Sequence, residues 1–122
     1  IRLENCLPQP TSLHFSGLRA TNAMDGVAGL TQPAVPPGGS FESVFTPQDA
    51  GVSIYHPLLP AEPGRTSEQL ERGLAGMFVV EEANWNGEID REIVLMLNDW
   101  RLTEAHQVDP VFGVPADNAR LG

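Results

Sequence analysis

The stretch S-L-H-F-S-G-L, residues 12–18, sets His14 and Ser16 two positions apart. In a strand successive side chains point to opposite faces, so both would project from one side and Phe15 from the other. A second stretch, I-Y-H-P-L-L-P at 54–60, gives His56 and Leu58 the same spacing. Around these, short runs rich in β-branched and aromatic residues lie between eleven prolines and twelve glycines. That spacing predicts an all-β sandwich or barrel. The expected strands are Ile1 to Leu7, Ser12 to Ser16, Ser40 to Thr46, Gly51 to His56, Gly76 to Glu82 and Glu92 to Asn98.

In S-F-E-S-V-F-T, Phe41, Ser43 and Phe45 share one face, as do Val52, Ile54 and His56 in the strand that follows. Asp49 and Gly51 in the intervening P-Q-D-A-G suit a reversal, so these two strands are expected to form a hairpin. The Asn-Gly pair in N-W-N-G-E, residues 84–88, predicts a further tight turn. One segment departs from the β pattern. T-S-E-Q-L-E-R-G offers Thr66 as an N-cap with Gln69 three residues on and Gly73 as a stop, which predicts a helix of one or two turns. From Arg101 the periodicity is lost, and residues 106–122, with His106, are expected to be loop or tail.

The 122 residues suffice for one domain with a single core. Sixteen acidic against seven basic residues give a net charge of −9, which opposes binding to nucleic acid or anionic lipid. The longest apolar run, Ile93 to Leu97, is far too short to cross a bilayer. Cys6 is the lone cysteine, so no internal disulfide can form. The opening I-R-L-E-N-C-L is a strand-like alternation already under way, and the first residue reads as a cut.

Five segments in order carry a resemblance: R-L-E-N-C-L-P-Q-P-T-S-L-H-F-S-G-L, M-D-G-V-A-G-L-T-Q-P-A-V-P-P-G-G-S-F, D-A-G-V-S-I-Y-H-P-L-L-P, Q-L-E-R-G-L-A-G-M-F-V-V-E-E and L-N-D-W-R-L. Together they resemble the N-terminal cupredoxin domain of the multicopper oxidases, a group that includes laccases, from residue 1 to about residue 105. The resemblance implies a Greek-key β-sandwich of cupredoxin type over 1–105, lacking its first strands, with a copper-dependent oxidoreductase as the whole protein. Active members place two His-x-His motifs here. Their imidazoles, with partners from another cupredoxin domain, hold a three-copper cluster that reduces dioxygen to water. Alternation delivers two neutral nitrogens to neighbouring metals, and imidazole suits copper.

Here the motifs read His14-Phe15-Ser16-Gly17 and His56-Pro57-Leu58. By resemblance His14 matches the ligand of the type 2 copper and His56 a ligand of the type 3 pair, while Ser16 and Leu58 stand at lost ligand positions. A serine hydroxyl ligates copper poorly and leucine does not ligate. Cys6 has no neighbouring histidine and does not match the blue-copper thiolate. Without the resemblance, each histidine would read as a polar side chain satisfied by hydrogen bonds. The acidic pairs, Glu81 with Glu82 and Asp49 with Glu42, read as solvated surface, and Asp25 as a turn residue. The resemblance implies further cupredoxin domains as partners, in this polypeptide or another subunit, a homo-oligomer as one arrangement, and a periplasmic or extracellular address. A chain with half the imidazoles is expected to be inactive alone. The alternative is a copper-free structural or interaction module.

Overall fold

The computed structural model describes residues 1–87, 89–98, 100, 102, 104 and 105, and the expectations for His106 and the 106–122 tail lie outside them. Its strands form two antiparallel sheets, as the all-β reading requires. β1 (Arg2–Glu4) pairs with β3 (Ser40–Glu42), setting Leu3 opposite Phe41. β2 (His14–Ser16), β4 (Gly51–His56) and β5 (Gly76–Val80) form the second sheet in the order β2-β4-β5.

β4 has the bounds the sequence suggested, the other four strands are shorter, and local hydrogen bonds explain one end. After Glu4, the Asn5 side chain accepts from the Leu7 N–H at 2.9 Å and donates to the Gln9 and Val35 carbonyls, turning the chain out of β1. The expected hairpin between residues 40–46 and 51–56 does not form. β3 belongs to the β1 sheet and β4 to the other, so residues 43–50 cross between sheets. Phe45 drives that crossing by placing its ring 5.2 Å from Phe15 and 6.3 Å from Phe78, centroid to centroid. Ring packing by a half-buried aromatic side chain outweighs a turn signal here.

The strand expected over Glu92–Asn98 is also absent. Ile93, Val94, Leu95, Met96 and Leu97 are exposed, and no ladder partner stands beside them among the described residues. A β-strand exists only through pairing, so β-propensity without a neighbour leaves irregular chain. The tight turn falls at Glu82–Trp85, closed by the Trp85 N–H on the Glu82 carbonyl, rather than at Asn86-Gly87.

The expected helix forms as α1 (Arg65–Glu71), but its N-cap is Gly64, not Thr66. Thr66 Oγ1 instead accepts the Leu59 N–H at 2.8 Å, tying the helix to the segment after β4. Gly73, at φ 89°, ends the helix as expected. Gln69 is fully buried, accepting from Thr11 Oγ1 at 2.7 Å and donating to the Pro10 carbonyl at 2.8 Å. The apolar core beneath the sheets is Phe15, Leu18, Val27, Ala28, Val35 and Leu59.

Candidate metal centre at the end of the three-stranded sheet

Antiparallel register makes His14 and His56 direct cross-strand partners, and pairs Ser16 with Ile54. Residues opposite one another in such a pair share a face. His14, Ser16 and His56 therefore lie together on the face turned away from Phe15. The two imidazole centroids are 5.4 Å apart with rings inclined at 82°. Ser16 sits diagonally across from His56, and its Oγ lies 2.8 Å from His56 Nε2.

The hydrogen bonds decide which nitrogen each ring presents. His56 Nδ1 lies 2.8 Å from the Pro57 carbonyl oxygen, and a carbonyl only accepts, so Nδ1 carries the proton. In the neutral ring Nε2 is then the acceptor, and the Ser16 hydroxyl donates to it. His14 Nδ1 lies 2.6 Å from the Asp25 carbonyl oxygen and by the same logic donates to it. Its Nε2 lone pair has no hydrogen-bond partner among the described residues, and 16% of the side chain is exposed. One imidazole offers a nitrogen outward and the other has that nitrogen engaged.

Leu58 lies two residues beyond the end of β4 with its backbone pinned. Its N–H donates to Ser12 Oγ, the Ser12 hydroxyl donates to its carbonyl, each at 2.9 Å, and the Ala28 N–H reaches the same carbonyl at 3.0 Å. The Leu58 side chain is half-buried and brings no donor.

The support under His14 comes from a residue whose importance the sequence hid. Asp25 was expected to serve a turn. Its carbonyl holds His14 Nδ1, and its carboxylate Oδ1 is 3.5 Å from the same nitrogen. Gly26 makes that approach possible. A Cβ there would lie 1.8 Å from the Leu13 carbonyl oxygen, and its φ of 78° is a conformation that other residues adopt at a cost. An Asp-Gly pair just after a histidine-bearing strand was the available signal, though it also fits any turn.

The other candidates stay apart from the imidazoles. Cys6 is exposed and borders an apolar cleft of about 390 Å³, with Leu3, Leu7, Tyr55 and Leu74, that no histidine lines. Asp49 forms an exposed ion pair with Arg19, whose hydrogen bond holds the carboxyl below its usual range. Glu81, Glu82 and Glu92 line an open hollow with Trp85.

Two sheets, one short helix and an imidazole pair at a sheet end define a cupredoxin-type domain of the copper-oxidase class. Comparison with known proteins agrees. The family profile of the multicopper oxidases matches residues 1–84, and the chain belongs to that family. An iron transport multicopper oxidase, fetC, of Epichloe festucae is 42% identical over 117 residues, covering 92% of this chain and 18% of its own length. The multicopper oxidase MmcO of Mycobacterium tuberculosis is 33% identical over 103 residues, covering 82% of this chain and 18% of its own. The crystal structure of a multi-copper oxidase from Pseudomonas parafulva superimposes with a TM-score of 0.79 at 39% identity, over 99% of this chain and 28% of that one. The chain thus spans less than a third of the length of these relatives.

Copper is the metal that the family implies. Tested against this site, the donor set falls short of a cluster: one free imidazole nitrogen, one engaged nitrogen, a hydroxyl and a leucine. No group of three or more histidine, cysteine, aspartate or glutamate side chains able to hold a metal occurs among the described residues. No helix among them is long and apolar enough to cross a membrane.

Proposed function

We propose that this chain is the N-terminal cupredoxin domain of a laccase-like oxidase with a depleted copper-ligand set, acting only together with further cupredoxin domains. The observation that carries this reading is the cross-strand pairing of His14 and His56, which brings two residues 42 positions apart in sequence to one sheet end. When bound, copper supplies one-electron steps between an electron donor and dioxygen. His14 and His56 are the remnant ligands, and Ser16 and Leu58 occupy the lost positions. His14 Nε2 is the atom ready to face a metal, with its ring oriented by the Asp25 carbonyl in the way that metal-bound histidines are held. The chain alone is inactive in dioxygen reduction, and an exported location follows from the same reading.

A copper-free scaffold is the second reading. It is favoured by the Ser16 hydroxyl on His56 Nε2, which satisfies without metal a nitrogen that would otherwise ligate. Copper content after dialysis separates the two. Bound copper, visible absorption and oxidation of a phenolic dye in the presence of the partner domains support the oxidase part, and absence of copper supports the scaffold. Ser16→His combined with Leu58→His should raise copper affinity when the partner domains are present. Unchanged affinity, with the fold intact by circular dichroism, would remove the basis for assigning those two positions.

A further inference from the structure

The disagreement between this donor set and a copper cluster has a local cause that the geometry identifies. We propose that Ser16 is a lock on His56: its hydroxyl occupies the Nε2 lone pair, and loss of that hydroxyl frees this nitrogen, next to the unpartnered His14 Nε2, for a borderline divalent cation such as Zn²⁺.

His56 cannot present Nδ1 to a metal, because Nδ1 is spent on the Pro57 carbonyl at 2.8 Å. Its one ligating atom is Nε2, and Ser16 Oγ lies 2.8 Å from it. A hydroxyl hydrogen bond and a metal bond compete for the same lone pair, so a cation must first break the serine contact. Nothing comparable guards His14, whose Nδ1 is fixed by Asp25 and whose Nε2 has no hydrogen-bond partner among the described residues. Metal–nitrogen bonds of about 2.0–2.1 Å are short relative to an imidazole, so two rings must stand a few ångströms apart to share an ion. The imidazole centroids are 5.4 Å apart, a spacing compatible with that requirement. The register does the rest, since His14 and His56 are partners in a hydrogen-bonded ladder and cannot drift apart without breaking it. Ser16 thereby sets how readily His56 can join His14 in holding a cation.

This inference rests on the copper-family reading only for why the pair exists; the lock itself is a property of the metal-free chain. Its test uses the intact chain and Zn²⁺ alone as probe. Long-range proton–nitrogen spectra of the metal-free chain should show His56 protonated at Nδ1 with a hydrogen-bonded, unprotonated Nε2. Titration of wild type should shift the His14 Nε2 resonance and leave that of His56 largely in place. In Ser16→Ala both should shift together, with affinity raised roughly two- to tenfold, the range one neutral hydrogen bond spans. Ser16→Thr retains a hydroxyl and should behave as wild type. Protonation of His56 at Nε2 in the metal-free chain, or equal Zn²⁺ affinity in wild type and Ser16→Ala, overturns the lock. If Ser16→Ala does not fold, the wild-type tautomer and the unshifted His56 resonance decide the matter. Failure of copper uptake with partner domains would count against the oxidase reading and leave these observations untouched.

Discussion

On one face of the three-stranded sheet, Phe15 and Phe78 pack with Phe45, and Phe15 retains 2% of its surface. On the other, Val52, Ile54 and Val79 remain 62%, 46% and 45% exposed beside the two imidazoles. The same strands supply both faces, through alternate residues. The aromatic face is held by removal of apolar area from water, a non-directional force indifferent to side-chain identity within limits of volume. The imidazole face is held by directed bonds: Asp25 to His14, Pro57 and Ser16 to His56. The imidazole face thus leaves apolar side chains open to contact beside oriented polar groups, where the aromatic face leaves none of its three phenylalanines exposed.

The contrast is open to direct attack on each side. Phe15→Ala removes a buried ring contacting two others and should cost about 3–5 kcal/mol, whereas Ile54→Ala, on the exposed face of the neighbouring strand, should cost less than about 1 kcal/mol. Urea denaturation of both variants checks this. Equal losses would mean that the imidazole face is as much core as the other. The second effect in size concerns the loop under His14. Gly26→Ala meets the Leu13 carbonyl and requires a left-handed backbone, so roughly 1–3 kcal/mol of strain should appear, with the clash adding to it. The His14 Nδ1–H resonance should lose its hydrogen-bonded shift at the same time. Loss of stability with that resonance unchanged would show that the Asp25 carbonyl does not depend on the glycine's close approach.

The sequence disclosed the two faces because alternation is a local property: His14, Phe15 and Ser16 must diverge in any strand. Of the six strands it led us to expect, five form among the described residues for the same reason. Pairing is not local. Phe45 reads as a strand residue until its ring is seen against Phe15, and the run Ile93–Leu97 reads as a strand until no neighbour is found for it among the described residues. The convergence of His14 and His56 became legible only through family resemblance, since nothing in either segment specifies the other. The Ser16 lock was invisible at that level. Nothing in the sequence ties the Ser16 hydroxyl to a ring 40 residues away, and only the 2.8 Å contact shows it engaging His56 Nε2.

The smallest expected effect lies at the opposite end of the sheet from the imidazoles, where Arg19 and Asp49 join the chain after β2 to the chain before β4. Hydrogen bonding from Arg19 lowers the Asp49 pKa, and the same contact raises that of Arg19. A carboxylate with a depressed folded-state pKa contributes stability above its unfolded value, about 3.9, and that contribution is lost as pH falls through the folded value. The raised Arg19 pKa acts only above the range in which the fold is tested. The pair is fully exposed, so solvent screening keeps its contribution slight and salt should diminish it further. Asp49→Asn should therefore lower the melting temperature slightly at pH 7 and low salt, by a difference from wild type that shrinks as pH falls. It should leave the His14 and His56 ring resonances unmoved throughout. A shift in those resonances would show that the two ends of the sheet are coupled, and that the imidazole pair is placed by more than the register of β2 on β4.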